Sequence, residues 1–187
     1  MTTVDRPGAG TVELRPVDRD LFRTLLRRQA ATVTVVTAPG QSPGRGRPPL
    51  PPAGFTATSF TSVSLDPPLV SFCLGRSSSS WPTVERAEHL AVHLLAAGQH
   101  EVARTFATSG IDRFARHQGW SEGPFGVPVV DGALAVLLSR VVHRVTAGDH
   151  SIVIAEPLAL GAEDDGDPLV HHRGGYTTTF GPWDMSR

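Results

Sequence analysis

Two runs of hydroxyl-bearing residues in the first half of the chain could do chemistry, and neither belongs to a hydrolytic motif. The first, TATSFTSVS, covers residues 56–64, and the second, GRSSSSW, covers residues 75–81. No Gly-x-Ser-x-Gly, Ser-x-x-Lys or Cys–His pattern accompanies them, so nothing activates a serine as a nucleophile. Such runs can instead bind. On a strand, alternate side chains face opposite sides. Thr56, Thr58, Phe60, Ser62 and Ser64 then share one face, and Ala57, Ser59, Thr61 and Val63 share the other. The first face is mostly small and polar, and leaves room beside a rigid sheet for a flat ligand rich in nitrogen and oxygen. In the second run Gly75 permits a tight turn. Ser77 to Ser80 then offer hydroxyls and successive backbone N–H groups at the entrance to a helix. That is an anion site built without lysine, to which Arg76 could add charge; the same residues also fit a solvated loop with a helix cap. All 17 basic residues of the chain are arginine, so any phosphate site must use Arg, backbone N–H groups or hydroxyls. The two runs flank one hairpin-like unit, and one ligand with a planar ring and a phosphate could span them.

The eight histidines show no His-Glu-x-x-His pattern. His89 and His93 have helical spacing but fall in a strand-like segment, so no metal is expected there. His171 and His172 read as surface residues. His150 follows Gly148–Asp149 at a strand start. A rigid turn there could aim the imidazole into a pocket or merely hydrogen-bond within itself. The single cysteine, Cys73 in VSFCLG, can form no intrachain disulfide and reads as a small buried hydrophobe with no base to activate it.

The elements that must position these groups follow from pattern. The chain has 187 residues, 40% apolar and 19% charged, which suits one domain with a sizeable core. A net charge of −1 argues against a nucleic-acid surface or an anionic membrane as partner. No run reaches membrane-spanning length, and the first residues lack the parts of a signal peptide, so the cytoplasm is the expected location. Residues 1–16 read as an irregular segment, and residues 17–180 as a single domain. DRDLFRTLLRRQA predicts a helix capped by Asp18, and AATVTVVTA a strand. Residues 39–53, rich in Pro and Gly, form an exposed inserted loop between two strands. FTATSFTSVS and LVSFCL read as strands, or strand and turn, separated by the LDPP turn. A short helix enters near Ser80 with Pro82 in its first turn. HLAVHLLA is a strand, QHEVARTFATSG a helix ended by Gly110, and DRFARHQGWSEGPFG an ordered loop holding aromatics. Two long strands joined at AGDH make a hairpin, and PLVHHRGGY holds a last short strand. Many short strands with few helices predict a mainly β barrel or sandwich; the βα alternation and Gly-x-Gly-x-x-Gly of a dinucleotide fold are absent.

Five segments, TATSFTSVSLDPPLVSFCLGRSSSSW, HLAVHLLAAGQ, ARTFATSGIDRF, AGDHSIVIAE and PLVHHRGGY, in this order and at this spacing, resemble the flavin reductase-like family over roughly Phe22 to Tyr176. The resemblance implies a mainly β fold, an FMN-binding split β-barrel with a few peripheral helices. It implies a homodimer with the flavin near the subunit interface. It also implies reduction of FMN, FAD or riboflavin by NADH or NADPH, with reduced flavin supplied to a partner monooxygenase. On that resemblance Ala57, Thr58, Ser59 and Phe60 contact the isoalloxazine and ribityl region, and Ser62, Val63 and Ser64 continue the wall. Cys73 and Leu74 lie beside the flavin on the neighbouring strand, Ser79 and Ser80 face its phosphate, and Phe114 packs near it or closes the pocket. His150 faces the nicotinamide side, and the region of Arg173 and Tyr176 contributes to the pocket. The loop at 39–53 departs from the family pattern and would alter the approach of a partner or nucleotide. Two further readings stay open: a flavin-retaining oxidoreductase acting on another substrate, and a non-enzymatic flavin-binding protein. The sequence does not distinguish FMN from FAD or NADH from NADPH.

Overall fold

A computed structural model describes residues 2–6, 9–43, 46–162 and 166–179. Its first element departs from expectation. The segment 1–16, read as irregular, contains an antiparallel hairpin of β1 (Thr2–Arg6) and β2 (Ala9–Leu14). Thr- and Val-containing stretches flank a Pro-Gly turn signal there, and local pairing between them needs no apolar alternation. Helix α1 (Arg19–Leu26) starts where the sequence places it, with Asp18 Oδ1 accepting from the N–H groups of Asp20 (3.1 Å) and Leu21 (2.8 Å).

The Val/Thr segment divides into β3 (Ala31–Thr32) and β4 (Thr34–Ala38). The Pro/Gly-rich loop then leads to β5 (Ala53–Ala57), followed by β6 (Thr61–Leu65), β7 (Pro68–Gly75), α2 (Trp81–Arg86) and β8 (His89–Leu94). Helix α3 (His100–Ala107) comes next. The aromatic segment, read as a loop, holds a short helix α4 (Arg113–Arg116) and β9 (Trp120–Glu122), which pairs with β10 (Pro128–Val130). The long hairpin is β11 (Ala135–Ala147) and β12 (His150–Ala162), and the chain closes with β13 (Leu169–His172) and β14 (Gly175–Thr178).

Seven strands form one sheet in the order β5-β4-β8-β11-β12-β7-β6, every neighbouring pair antiparallel. Side chains from across that order, among them Val36, Phe55, Phe72, Leu90, Val92 and Val153, meet in one buried cluster. The sheet therefore curls onto itself as a barrel, the mainly β architecture expected. Strand alternation also explains why β4 is buried throughout. Val36 points into the barrel, while Val35 and the preceding Val33 point outward into a second core with Ala103, Phe106, Phe114 and Leu169. That outer core fastens α3 and α4 to the barrel wall.

His93 on β8 ties this arrangement together. Its side chain is fully buried, Nδ1 lies 2.9 Å from Val35 O, and Nε2 accepts from Val130 N–H at 3.0 Å. The bonding fits a neutral imidazole with the proton on Nδ1, and burial pushes its pKa down to about 4. A side chain read as part of a plain strand thus links β4 to the β9–β10 hairpin.

Candidate functional site

Strands β5 and β6 are consecutive in the chain but lie at opposite edges of the sheet, so residues 58–60 cross the seam where the barrel closes. This breaks the unbroken alternation expected over residues 56–64. β5 pairs with β4 and β6 pairs with β7, so the chain changes partners between them, and Thr58, Ser59 and Phe60 have no ladder partner. The pairing shifts again between Ser62 and Ser64. The shared hydroxyl face therefore does not form. Thr56 Oγ1 donates to Ala103 O (2.6 Å) on α3. The Ala57 methyl lies in the barrel core, and Thr34 Oγ1 donates to its carbonyl (2.9 Å), so Ala57 presents no side chain to a ligand. Phe60 packs against the barrel core. Thr61, Ser62 and Val63 are exposed on the edge strand, and Ser64 is half-buried. Ser59 stands in for a missing ladder bond: its Oγ accepts from Cys73 N–H (2.9 Å) and donates to Cys73 O (3.4 Å). Cys73 is half-buried and Leu74 buried, both on β7 beside the crossing.

Thr58 and Ser59 line a cavity of about 940 Å³ together with Arg23 of α1, Arg27 at its C-cap, Ala31 and His171. A second cavity, about 530 Å³, lies at the entrance to α2, and is lined by Gly54, Ser79, Ser80, Arg113, Phe114 and Trp120. The two hydroxyl runs thus open on two cavities. β5 joins them, with Gly54 at one and Thr58 just past its end at the other, roughly 13 Å apart at about 3.3 Å per residue.

Ser80 occupies the N-cap position of α2 without a side-chain cap; its hydroxyl donates instead to Gly54 O (3.1 Å). Arg113 supplies the charge. Its Nη1 donates to Ser80 Oγ (3.1 Å), both Nη atoms lie 3.5 Å from Ser79 Oγ, and Nε donates to Thr108 O (2.9 Å). Partial burial lowers its pKa from the usual guanidinium range. Asp112 caps α4 by accepting from Phe114 and Ala115 N–H, which sets the direction of Arg113. Phe114 is buried, edge-on to Phe106 (5.4 Å between centroids) and Trp120 (5.1 Å). Sequence reasoning took Phe114 from this Asp-Arg-Phe stretch and missed its neighbour Arg113. The absence of lysine was the signal that could have found it. At the other end of α2, Arg144 donates to the carbonyls of Val84 and Ala87, as suits a cation at a helix C-terminus.

Arg76, expected at the anion site, is drawn away from it. Its Nη2 donates to Gly148 O (2.9 Å) and its N–H to Asp149 O (3.0 Å), which binds the β7 exit to the β11–β12 turn. His150 opens β12 opposite Gly75, half-exposed and outside both cavity linings. Its Nδ1 lies 2.7 Å from Asp149 Oδ1, and that hydrogen bond holds the Asp149 carboxyl below its usual pKa. Among the described residues no group of three His, Cys, Asp or Glu is placed to hold a metal, and no helix is long and apolar enough to cross a membrane.

Residues 26–179 match the family described as flavin reductase like domain. The chain is 42% identical over 159 residues to an NADH:FMN oxidoreductase of Rhodococcus qingshengii, covering 83% of this chain and 79% of that protein. It is 32% identical over 182 residues to HsaB, the reductase subunit of a flavin-dependent monooxygenase of Rhodococcus jostii, covering 94% and 89%. The solved NADH:FAD oxidoreductase SgcE6 of Streptomyces globisporus, in complex with NAD and FAD fragments, matches with a TM-score of 0.79 at 33% identity, over 93% of this chain and 99% of that one. With this match along most of its length, and a barrel of the kind the family builds, the chain belongs to the flavin reductase-like family.

Proposed function

We propose that this protein reduces flavin with NADH or NADPH, by hydride transfer to flavin N5, and supplies the reduced flavin to a partner monooxygenase. One observation carries the reading: a half-buried guanidinium, Arg113, converges with the hydroxyls of Ser79 and Ser80 on a cavity one strand away from an unpaired polar crossing. That donor set suits a phosphate at one end, and free backbone groups suit the polar edge of a ring at the other. The relatives' activities, reduction of FMN or FAD with NADH, and the monooxygenase reductase subunit among them agree with it.

A bound flavin supplies the chemistry, accepting a hydride from C4 of the dihydronicotinamide. The protein's residues bind and orient. Arg113, Ser79 and Ser80 hold the phosphate, while the backbone of Thr58 to Phe60 meets the ring edge. Phe114 and Trp120 give the phosphate cavity an apolar flank that keeps water from competing with Arg113. The Nδ1 contact with Asp149 fixes the His150 ring and leaves Nε2 to meet the nicotinamide carboxamide. No general base is required, because hydride transfer removes no proton.

The homodimer belongs to this reading. Leu65 is 90% exposed on β6, and Val63, Val142 and Val145 are exposed on β6 and β11. A second copy covering these strands would remove that apolar area from water.

The test is an anaerobic matrix of NADH and NADPH against FMN, FAD and riboflavin, read as loss of oxidised-flavin absorbance. Reduction with at least one pair is expected. No reduction with any pair overturns the activity, and flavin retained through purification would favour a flavin-retaining oxidoreductase.

A further inference from the structure

Helix α1 buries none of its residues and borders the larger cavity. Asp20, Arg23, Thr24 and Arg27 recur at i, i+3, i+4 and i+7, and all line the larger cavity. Leu26 lines it as well, while Leu21, Phe22 and Leu25 stand outside the lining, between 40% and 54% exposed. Every residue of α1 is exposed, so Arg23 and Arg27 are open to solvent and to any anion that enters the cavity. Among the described residues no carboxylate pairs with Arg23 or Arg27.

Arg27 is also seated. Arg173 N–H donates to Arg27 O (3.0 Å), and the Arg27 guanidinium lies so close over Gly174 that a Cβ there would come within 2.5 Å of Nη2. Gly174 has φ +84°, a backbone conformation that favours glycine, and an added Cβ would have to displace the Arg27 guanidinium. The C-terminal end of α1 therefore meets the turn bearing Gly174, with Thr58, Ser59 and His171 across the cavity.

We propose that the α1 side of this cavity, opposite the flavin ring edge at Thr58 and Ser59, holds the diphosphate of the nicotinamide dinucleotide, with Arg23 and Arg27 as its two cations. The inference rests on the reductase reading above. Two guanidinium forks one helical turn apart match two linked phosphoryl groups, and each can bond in bidentate fashion. The flavin phosphate has its own cation, Arg113, in the other cavity.

The experiment titrates ADP-ribose, which carries the diphosphate but no hydride, into the unmodified protein, Arg23→Gln/Arg27→Gln and Arg28→Gln. Arg28 is exposed just past the helix and does not line the cavity. The double substitution should weaken ADP-ribose and NADH binding by roughly 100-fold, about tenfold per charge-assisted contact, and change FMN affinity by about twofold or less. Arg28→Gln should change none of these. Equal ADP-ribose affinity in the double variant, or no binding by the unmodified protein, overturns the proposal. So does a loss confined to NADPH and 2′,5′-ADP, which would move the arginines to the 2′-phosphate, or one confined to FAD. Arginine-dependent binding of ADP-ribose by a protein that reduces no flavin would uphold the site and overturn the reductase reading instead.

Discussion

Replacing Arg113 by alanine separates phosphate recognition from every other part of flavin binding. The guanidinium sits among the Ser79 and Ser80 hydroxyls and is partly withdrawn from water. A bond from such a group to a phosphate is charge-assisted and contributes about 1.5–3 kcal/mol. At about 1.4 kcal/mol per decade, Arg113→Ala should raise the Kd for FMN roughly 10- to 100-fold. Riboflavin has the same ring and no phosphate, so its Kd should change by about twofold or less. The lost bond to Thr108 O is at an exposed site and should lower stability by about 1 kcal/mol at most. The assay is quenching of flavin fluorescence on titration, for both ligands, at low and high salt. The FMN Kd of the unmodified protein should rise with salt and that of the variant should rise less, because one screened cation is gone. Parallel weakening of FMN and riboflavin would refute the reasoning, since Arg113 would then be shaping the cavity. Unchanged FMN binding would place the phosphate elsewhere.

Three other perturbations test neighbouring parts. His150→Ala should raise the KM for NADH with the flavin Kd unchanged, seen by steady-state kinetics beside flavin titration; equal loss of both would end its assignment to the nicotinamide side. Gly54→Ala puts a Cβ 2.5–2.7 Å from two ring carbons of Phe106 and 3.2 Å from Phe114, both buried. Overpacking of that kind costs about 1–3 kcal/mol, so Tm should fall by roughly 3–10 °C in a thermal melt, and an unchanged Tm would show the rings can yield. For His93 the folded pKa of about 4 lies below the ordinary 6.5, so the folded state binds fewer protons than the unfolded chain in between. Its contribution is fully present above pH 6.5 and is lost as pH falls toward 4, by about 3 kcal/mol in all. Urea unfolding at pH 7 and pH 5 should differ by about 2 kcal/mol from this group, and the difference should shrink in His93→Gln.

Local signals were legible where a few adjacent residues decide the outcome. Asp18 caps α1 because its carboxylate reaches N–H groups two and three residues away. The hairpin at Gly148–Asp149 forms where the turn sequence places it, with Gly148 at φ +61°. The same reasoning erred over residues 56–64. Alternation holds only while a strand keeps one partner, and nothing in the local pattern says that β5 and β6 belong to opposite edges. His93 was unreadable for a similar reason: its acceptor Val35 and its donor Val130 lie far from it in the chain.

By itself the sequence determined the chemical vocabulary: arginine as the only strong cation, a serine-rich helix entrance, an imidazole on a tight turn, and enough β-branched alternation for a barrel. Which of those groups work together was decided only in three dimensions. Barrel closure brought Arg113 to serines more than thirty residues away and carried Arg76 off to another turn. Periodicity, caps and turns act over a few residues, whereas the meeting of distant side chains depends on which strand edges find each other when the sheet closes.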